Sequence, residues 1–206
     1  MSTYSKSHCI KASPDSILIV SGALQALDLI SVGLLKPEST ALLERPSYLY
    51  FLHVFQSADM DFSGLPIDNE GIITKSILNQ TQKSQQNILY TIPSFHNPTG
   101  FIMLDSRRPE LLKVCKEERI PIIEDDIYRE LWIDKEPPLV LKTKDMHGLV
   151  LYLGSLSKNL TPGLRIGWIV GPQSVINCLA DIKMQSDYGS STLSQRVAFK
   201  WMSSGL

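Results

Sequence analysis

Short apolar runs alternate along the chain with longer stretches in which apolar residues recur every three or four positions. The short runs predict buried strands, and the longer stretches predict amphipathic helices. Segments such as IPII and LVLYL are almost wholly apolar, as strands covered on both faces require. The predicted strands are Ile17–Val20, Thr40–Leu43, Met60–Phe62, Asn87–Ile92, Ile120–Ile123, Leu149–Leu153 and Arg165–Val170. The predicted helices are Ala23–Leu35, Tyr48–Ser57, one within Ile72–Lys83, Ser106–Glu118, Ser174–Ser186 and Ser194–Met202.

This alternation predicts an α/β fold of three layers, with a mostly parallel central sheet covered by helices. We expect residues 1–16 to form a polar lead-in and residues 17–206 to form one large domain. In such folds ligands bind beyond the carboxyl ends of the strands. Residues that directly follow predicted strands are therefore the candidates for function.

Composition narrows the classes of function. The chain has 206 residues, 43% of them hydrophobic and 20% charged, with a formal charge of -1. These values indicate an ordinary globular protein and give no electrostatic case for binding nucleic acid or a membrane surface. Cys9, Cys115 and Cys178 lie far apart, which favours free thiols in a reducing compartment. With no signal-like apolar segment, we expect a cytoplasmic protein.

Five predicted strand exits carry polar groups. Ser21-Gly22-Ala23 opens a helix and could hold an anion on its free N–H groups, although taken alone it is better explained by a plain helix cap by Ser21. Tyr48 could cover a planar ligand or merely pack. Asn97 lies in an Asn-Pro-Thr-Gly turn, where Asn97-Pro98 is a candidate cis peptide. His96 beside it indicates nothing beyond an ordinary surface or packed histidine.

The two remaining exits carry the strongest chemistry. Glu124, Asp125 and Asp126 follow the IPII strand and could form a solvated loop or, less readily, a magnesium site, since no second acidic strand end supports a metal. In the segment GSLSKNLTPGLR, two serines, Lys158 and Arg165 lie close together. Hydroxyls and a guanidinium beside one amine suit a phosphate-bearing aldehyde.

Taken in order, these motifs resemble those of the fold-type I pyridoxal-phosphate aminotransferases of class I/II. The resemblance covers about residues 13–201, and its most specific pieces are HNPTG at 96–100, the D-x-x-Y of Asp125 and Tyr128, and S-x-S-K-x6-R at 155–165. The stretches YLGSLSKNLTPGLRIGWIVGP and DIKMQSDYGSSTLSQ are most similar to the aminotransferase-like domain of MocR/GntR-type regulators. Aminoadipate-type aminotransferases are nearly as similar.

The resemblance implies pyridoxal 5′-phosphate as cofactor and a role for each motif residue. Lys158 would form the Schiff base and move the proton during transfer of an amino group between an amino acid and a 2-oxo acid. Asp125 would pair with the pyridine nitrogen, Asn97 and Tyr128 with the ring hydroxyl, and Tyr48 would stack on the ring. The implied phosphate contacts are Gly22, Ala23, Ser155, Ser157 and Arg165.

Two departures from the family pattern shape the functional hypotheses. Many relatives have a hydroxyl residue where Ala23 stands, and the chain resembles a fragment without the N-terminal segment and small C-terminal domain of the aminotransferases. We therefore expect weak or absent transamination by the isolated chain. The resemblance also implies a homodimer in the full-length protein. An alternative is a domain that senses the cofactor in a MocR-type regulator, with DNA bound by another segment. A generic nucleotide-binding domain is disfavoured because G-x-G-x-x-G and Walker motifs are missing.

Overall fold

A computed structural model describes residues 10–81 and 86–204 as an eight-stranded sheet with helices on both faces. The prediction for Cys9 lies outside these residues; Cys115 is a buried free thiol and Cys178 an exposed one. None of the helices in the described ranges is long and apolar enough to cross a membrane. The strands are β1 Ile17–Val20, β2 Thr40–Arg45, β3 Asp61–Asp68, β4 Gly71–Ile72, β5 Asn87–Thr91, β6 Ile122–Asp125, β7 Val150–Ser155 and β8 Gly167–Val170. The helices are α1 Ala23–Leu34, α2 Leu49–Gln56, α3 Lys75–Gln80, α4 Arg107–Glu117, α5 Leu141–Lys144, α6 Gln173–Asp187 and α7 Thr192–Ser204.

The strand order is β1-β8-β7-β6-β5-β2-β3-β4, and the central strands from β7 to β3 are parallel. Strand β8 lies antiparallel between β7 and β1, so β1 runs in the same direction as β7. As a result, the carboxyl ends of β1 and β7 and the beginning of β8 meet at one edge of the sheet. The antiparallel strand β8 thus determines where the candidate site forms.

The helices cover the sheet from both sides, which confirms the three-layer prediction. Ile123 of β6 packs in a core with residues of α1, α2 and α6, whereas its neighbour Ile122 packs in a second core with residues of α3, α4 and α5. A third core forms under α7, around Trp168 and Tyr152. Successive strand residues point to opposite faces, and burial on both faces explains why the strands are so apolar.

Two predicted strands, β3 and β6, had wrong boundaries, and two short elements were missed. Strand β3 extends to Asp68 rather than ending at Phe62, because β4 pairs with β3 only at its last two residues and leaves Gly64 and Pro66 on a mostly open edge that tolerates them. The two-residue β4 and the four-residue α5 were not predicted. Strand β6 is shifted by two residues, so that Glu124 and Asp125 lie inside the sheet.

Candidate cofactor site at the carboxyl edge of the sheet

Three chain segments come into close contact where β1 ends, β7 ends and β8 begins. Gly22 has φ +96°, and a Cβ atom added to it would lie 2.6 Å from the Arg165 Nη2 atom. The Arg165 guanidinium in turn donates a hydrogen bond to the Ser21 carbonyl oxygen at 2.8 Å. A Cβ on Gly167 would lie 3.1 Å from the Gly22 Cα atom. The positive φ of Gly22 and the tight backbone contact at Gly167 favour glycine at both positions. We call the junction of Ser21, Gly22 and Arg165 the cup.

The start of α1 faces the cup without a side-chain cap. Gly22 is the N-cap residue, so the alternative that Ser21 caps the helix through its side chain was wrong. Ala23 begins the helix, and the N–H groups of the first turn have no carbonyl partner within it. The helix therefore presents backbone donors and the positive end of its dipole towards the cup, as anion sites require.

Two serine hydroxyls lie at the end of β7, directly before the lysine. The Ser155 hydroxyl donates to the Ile166 carbonyl oxygen at 3.1 Å and accepts from the Ser157 backbone N–H at 3.1 Å. The Ser155 and Ser157 oxygens are 3.0 Å apart. This turn places both hydroxyls beside the beginning of β8, while Lys158 follows with an exposed side chain.

Asp125 is the fully buried acid of the site. Tyr90 of β5, also fully buried, donates its hydroxyl hydrogen to Asp125 Oδ2 at 2.8 Å, and the Ile127 N–H donates to Oδ1 at 3.2 Å. Burial raises the pKa of Asp125 to about 7, despite these two hydrogen bonds. The same burial and the nearby Asp125 charge raise the pKa of Tyr90 well above its ordinary value, so its hydroxyl remains a donor.

The other two carboxylates of the acidic run, Glu124 and Asp126, make contacts that stabilise the fold. Glu124 accepts hydrogen bonds from the backbone N–H groups of Leu141 and Lys142, at 2.6 and 2.9 Å. Asp126 lies 3.7 Å from Arg129. The solvated loop expected for this run was therefore wrong, because all three acids are buried. In the part of the chain that the structure describes, no group of three His, Cys, Asp or Glu residues is arranged to hold a metal ion.

Asn97, Tyr128 and Lys158 form the open side of the site. The Asn97 amide donates to the Tyr128 hydroxyl at 2.9 Å, and Lys158 Nζ lies 5.6 Å from the centre of the Tyr128 ring. The peptide bond between Asn97 and Pro98 is cis, as predicted, and so is that between Arg45 and Pro46, which was not predicted. Tyr48 packs beside this cluster, where burial, Tyr50 and then the Asp125 charge raise its pKa.

A further buried acid, Glu44, which lies near Asp125, was missed. Glu44, in β2, accepts hydrogen bonds from the Thr91 hydroxyl and from the Ile92 N–H, and its Oε2 atom lies 3.3 Å from His96 Nε2. A second acidic strand end thus exists, contrary to the prediction, and of the two alternatives for His96, surface or packed, the packed one is correct. The signal was a glutamate in the otherwise apolar run TALLE.

The burial of Asp125 predicts a pH dependence of stability. The folded protein retains a proton on Asp125 between its ordinary pKa of 3.8 and about 7, whereas the unfolded chain releases it. The free energy of unfolding should therefore fall as pH rises from about 4 to about 7, by about 1.4 kcal/mol for each unit of pKa difference at most. Asp125→Asn removes this contribution, and we expect a smaller slope in urea unfolding measured across that range.

Burial also raises the pKa of Glu124 to about 7, so Glu124 lowers the free energy of unfolding as pH rises over the same range. The slope in Asp125→Asn should therefore be smaller than in the unsubstituted chain but not zero. Asp181→Asn, an exposed change on α6, is the matched control and should leave the slope unchanged. An identical slope in Asp125→Asn and in the unsubstituted chain would contradict the assignment of a proton to Asp125.

Comparisons with known proteins identify the family to which the chain is similar. The family model described as aminotransferase class I and II matches residues 1–206. The uncharacterized HTH-type transcriptional regulator YdfD of Bacillus subtilis is 61% identical over 205 residues, which are 100% of this chain and 42% of that protein. The chain thus spans less than half the length of this curated relative.

Solved structures of aminotransferases share the fold over almost the whole chain. Kynurenine aminotransferase of Pyrococcus horikoshii, solved in complex with PMP, is 35% identical with a TM-score of 0.91, covering 99% of this chain and 52% of that one. LysN, an α-aminoadipate aminotransferase of Thermus thermophilus complexed with N-(5′-phosphopyridoxyl)-L-leucine, is 33% identical with a TM-score of 0.87, covering 93% and 50%.

Proposed function

The chain belongs to the aminotransferase class I and II family, and on that premise we propose that it binds pyridoxal 5′-phosphate, with Lys158 as the covalent attachment point. The observation that carries this proposal is the grouping of Lys158, Tyr128 and Asn97 with buried Asp125 at the sheet edge that also holds the cup. These are the groups that an aldehyde, a ring hydroxyl, a pyridine nitrogen and a phosphate require.

The residues of the cup fit a phosphate group. The glycine at position 22 keeps the backbone free of a Cβ atom where Arg165 approaches, so the guanidinium and the first N–H groups of α1 face the same space. The hydroxyls of Ser155 and Ser157 border that space at the end of β7. A guanidinium, hydroxyls and a helix N-terminus are the usual ligands of a phosphate dianion, and Ala23 would contribute only its N–H.

Asp125 fits a pyridine nitrogen on electrostatic grounds. Its two hydrogen bonds come from neutral groups, the Tyr90 hydroxyl and the Ile127 amide, and burial raises its pKa to about 7. A protonated ring nitrogen would supply the cation that favours the ionised carboxylate. When bound, the cofactor supplies an electron-withdrawing ring that stabilises negative charge developing at the α-carbon of an amino acid.

The remaining residues would orient the reactants and move the proton. Asn97 and Tyr128, already joined by a hydrogen bond, would donate to the ring hydroxyl oxygen. Tyr48 would cover one ring face and exclude water there. Lys158, whose exposed side chain reaches over the Tyr128 ring, would hold the cofactor and later accept the proton from the substrate α-carbon.

Titration of the purified chain with pyridoxal 5′-phosphate tests the proposal. We expect one equivalent to bind with a visible absorbance band, borohydride to fix it, and peptide mapping to find the label on Lys158. Labelling spread evenly over many lysines would refute a specific site. Residues 17–206 would then lose their assignment as a cofactor-binding large domain.

The comparisons favour a regulatory use of this domain over a metabolic one. Identity to the regulator YdfD is 61%, against 35% to the kynurenine aminotransferase. We therefore propose that the domain senses the cofactor or an amino acid within a longer cytoplasmic HTH-type regulator, with DNA bound by another segment and a homodimer as the working unit. Transfer of an amino group between an amino acid and a 2-oxo acid is the second candidate, favoured by the solved enzymes.

Turnover by the chain itself distinguishes the two candidates. Arg165 is the one arginine among the proposed site residues, and its guanidinium is already bonded to the Ser21 carbonyl oxygen at the cup. A substrate carboxylate near Lys158 would therefore lack a guanidinium partner and would be poorly positioned. Because loose positioning forfeits on the order of 100-fold in rate, we expect amino-group transfer at least about 100-fold slower than by the Pyrococcus enzyme. The assay follows conversion of bound cofactor to its amine form with a mixture of amino acids. Rates similar to the enzyme's would establish the catalytic alternative.

A further inference from the structure

A buried lysine and an aspartate on α6 connect to the cup through one glutamine side chain. Lys183 is only 3% exposed, and its Nζ atom donates to Asp187 Oδ2 and to Gln25 Oε1, the latter at 3.1 Å. The Gln25 amide nitrogen donates to Asp187 Oδ2 at 2.8 Å. Gln25 lies in the first turn of α1, so this network joins two helices that are about 160 residues apart in sequence.

The same glutamine holds the backbone that enters the cup. Gln25 Oε1 accepts a hydrogen bond from the Ser21 N–H at 2.7 Å, while Arg165 donates to the Ser21 carbonyl oxygen at 2.8 Å. Both backbone polar groups of Ser21 are thus held by side chains, directly before Gly22. The orientation of this residue sets the direction of the chain into α1, whose first N–H groups face the cup.

The charged pair determines which end of the Gln25 amide faces Ser21. An amide has an acceptor oxygen and a donor nitrogen of nearly the same shape, and only the oxygen can bind the Ser21 N–H. Lys183 requires the oxygen and Asp187 requires the nitrogen, so together they favour one orientation. Without them the amide could rotate and place its NH₂ group against the Ser21 N–H.

We propose that Lys183 and Asp187 are positioning residues for phosphate binding, because they orient Gln25 and so hold Ser21 and Gly22 in the geometry of the cup. This proposal rests on the proposed cofactor function, and it assigns a role to a partly buried ion pair on α6 that is connected to the cup through Gln25. The two residues carry opposite charges, so their substitutions can distinguish a positioning role from electrostatic attraction of the phosphate. Lys183→Met removes a positive charge and Asp187→Asn removes a negative one, so attraction of the phosphate at a distance would change affinity in opposite directions.

The test compares pyridoxal 5′-phosphate with pyridoxal, which has the same aldehyde and ring but lacks the phosphate. For each variant of the chain, the two dissociation constants are measured by absorbance titration. We expect Lys183→Met and Asp187→Asn each to weaken pyridoxal 5′-phosphate binding about tenfold, the scale of one hydrogen bond to a charged group. Binding of pyridoxal should stay within about twofold of the unsubstituted chain. Lys113→Met and Asp181→Asn, both exposed, are the matched controls and should change neither constant.

Three results would overturn the proposal. Equal weakening for both aldehydes would show a purely structural role, opposite changes in the two variants would show long-range attraction, and no change would show that the network is irrelevant to the cup. If one variant does not fold, as judged by its circular dichroism, the other still decides between these outcomes. Failure of the unsubstituted chain to bind pyridoxal 5′-phosphate would instead refute the proposed function, and with it the premise of this proposal.

Discussion

Replacing Lys158 by alanine is expected to abolish covalent attachment of pyridoxal 5′-phosphate to the chain. The Lys158 amine is exposed and lies 5.6 Å from the centre of the Tyr128 ring, on the open side of the cluster that contains Asn97. Without that amine no carbon–nitrogen bond to the cofactor aldehyde can form at this place. The visible band and the borohydride-stable label should both disappear, with at least about a 100-fold loss of specific labelling, because covalent attachment needs an amine at this position.

The fold should survive this substitution, because truncating an exposed side chain changes stability by about 0.5 kcal/mol or less. Thermal unfolding of Lys158→Ala without cofactor therefore checks that a lost label reflects lost chemistry. Lys113→Ala, an exposed change on α4, is the control and should retain the full label. One equivalent of label on Lys158→Ala, mapped to another lysine, would show that the attachment point was assigned wrongly.

Replacing Gly22 by alanine is expected to remove the phosphate contribution to binding. Alanine at φ +96° is strained, at a cost of about 1–3 kcal/mol. Its Cβ atom would also lie 2.6 Å from Arg165 Nη2, so the guanidinium must leave its hydrogen bond to the Ser21 carbonyl oxygen. We expect affinity for pyridoxal 5′-phosphate to fall by about 100-fold or more relative to pyridoxal, measured by parallel titrations.

Gly100 offers a control that separates backbone strain from contact. It has φ +73°, but a Cβ atom added there would meet nothing within 4 Å. Gly100→Ala therefore also places alanine at a positive φ but without displacing a guanidinium, and it should leave the ratio of the two affinities unchanged. Equal ratios in Gly22→Ala and Gly100→Ala would mean that the cup does not bind the phosphate.

Much of the candidate site could be predicted because its residues fall in contiguous motifs directly after strands. The structure places Lys158, Asp125, Tyr128 and Asn97 together at one edge of the sheet, and their roles towards a cofactor remain predictions. Tyr90 could not be predicted as a partner of Asp125. It lies within an apolar strand pattern, where a tyrosine fits as a packed ring, and the acid that it binds is 35 residues away on a neighbouring strand.

The fold class followed from the apolar pattern, but the strand order did not. The run Arg165–Val170 predicted a strand without indicating that it would lie antiparallel between β1 and β7. Strand order depends on pairing between distant segments, and near-continuous apolar strands leave both faces alike, so local periodicity does not specify neighbours. The burial of Glu124 was missed for a related reason, because its partners Arg108 and Leu141 come from separate parts of the chain.

Because β8 pairs with β1, the cup can form only after both strands have been synthesised. Arg165 and Ser21, which meet at the cup, are 144 residues apart in the chain. During synthesis from the N-terminus, the first strand is made early but gains this neighbour only after most of the domain has emerged. A ligand that needs the cup would bind the completed sheet and none of its shorter precursors, and it would stabilise only that final state. Ligand capture would then follow the pairing of β8 with β1, so an N-terminal intermediate that lacks β8 would not hold the ligand.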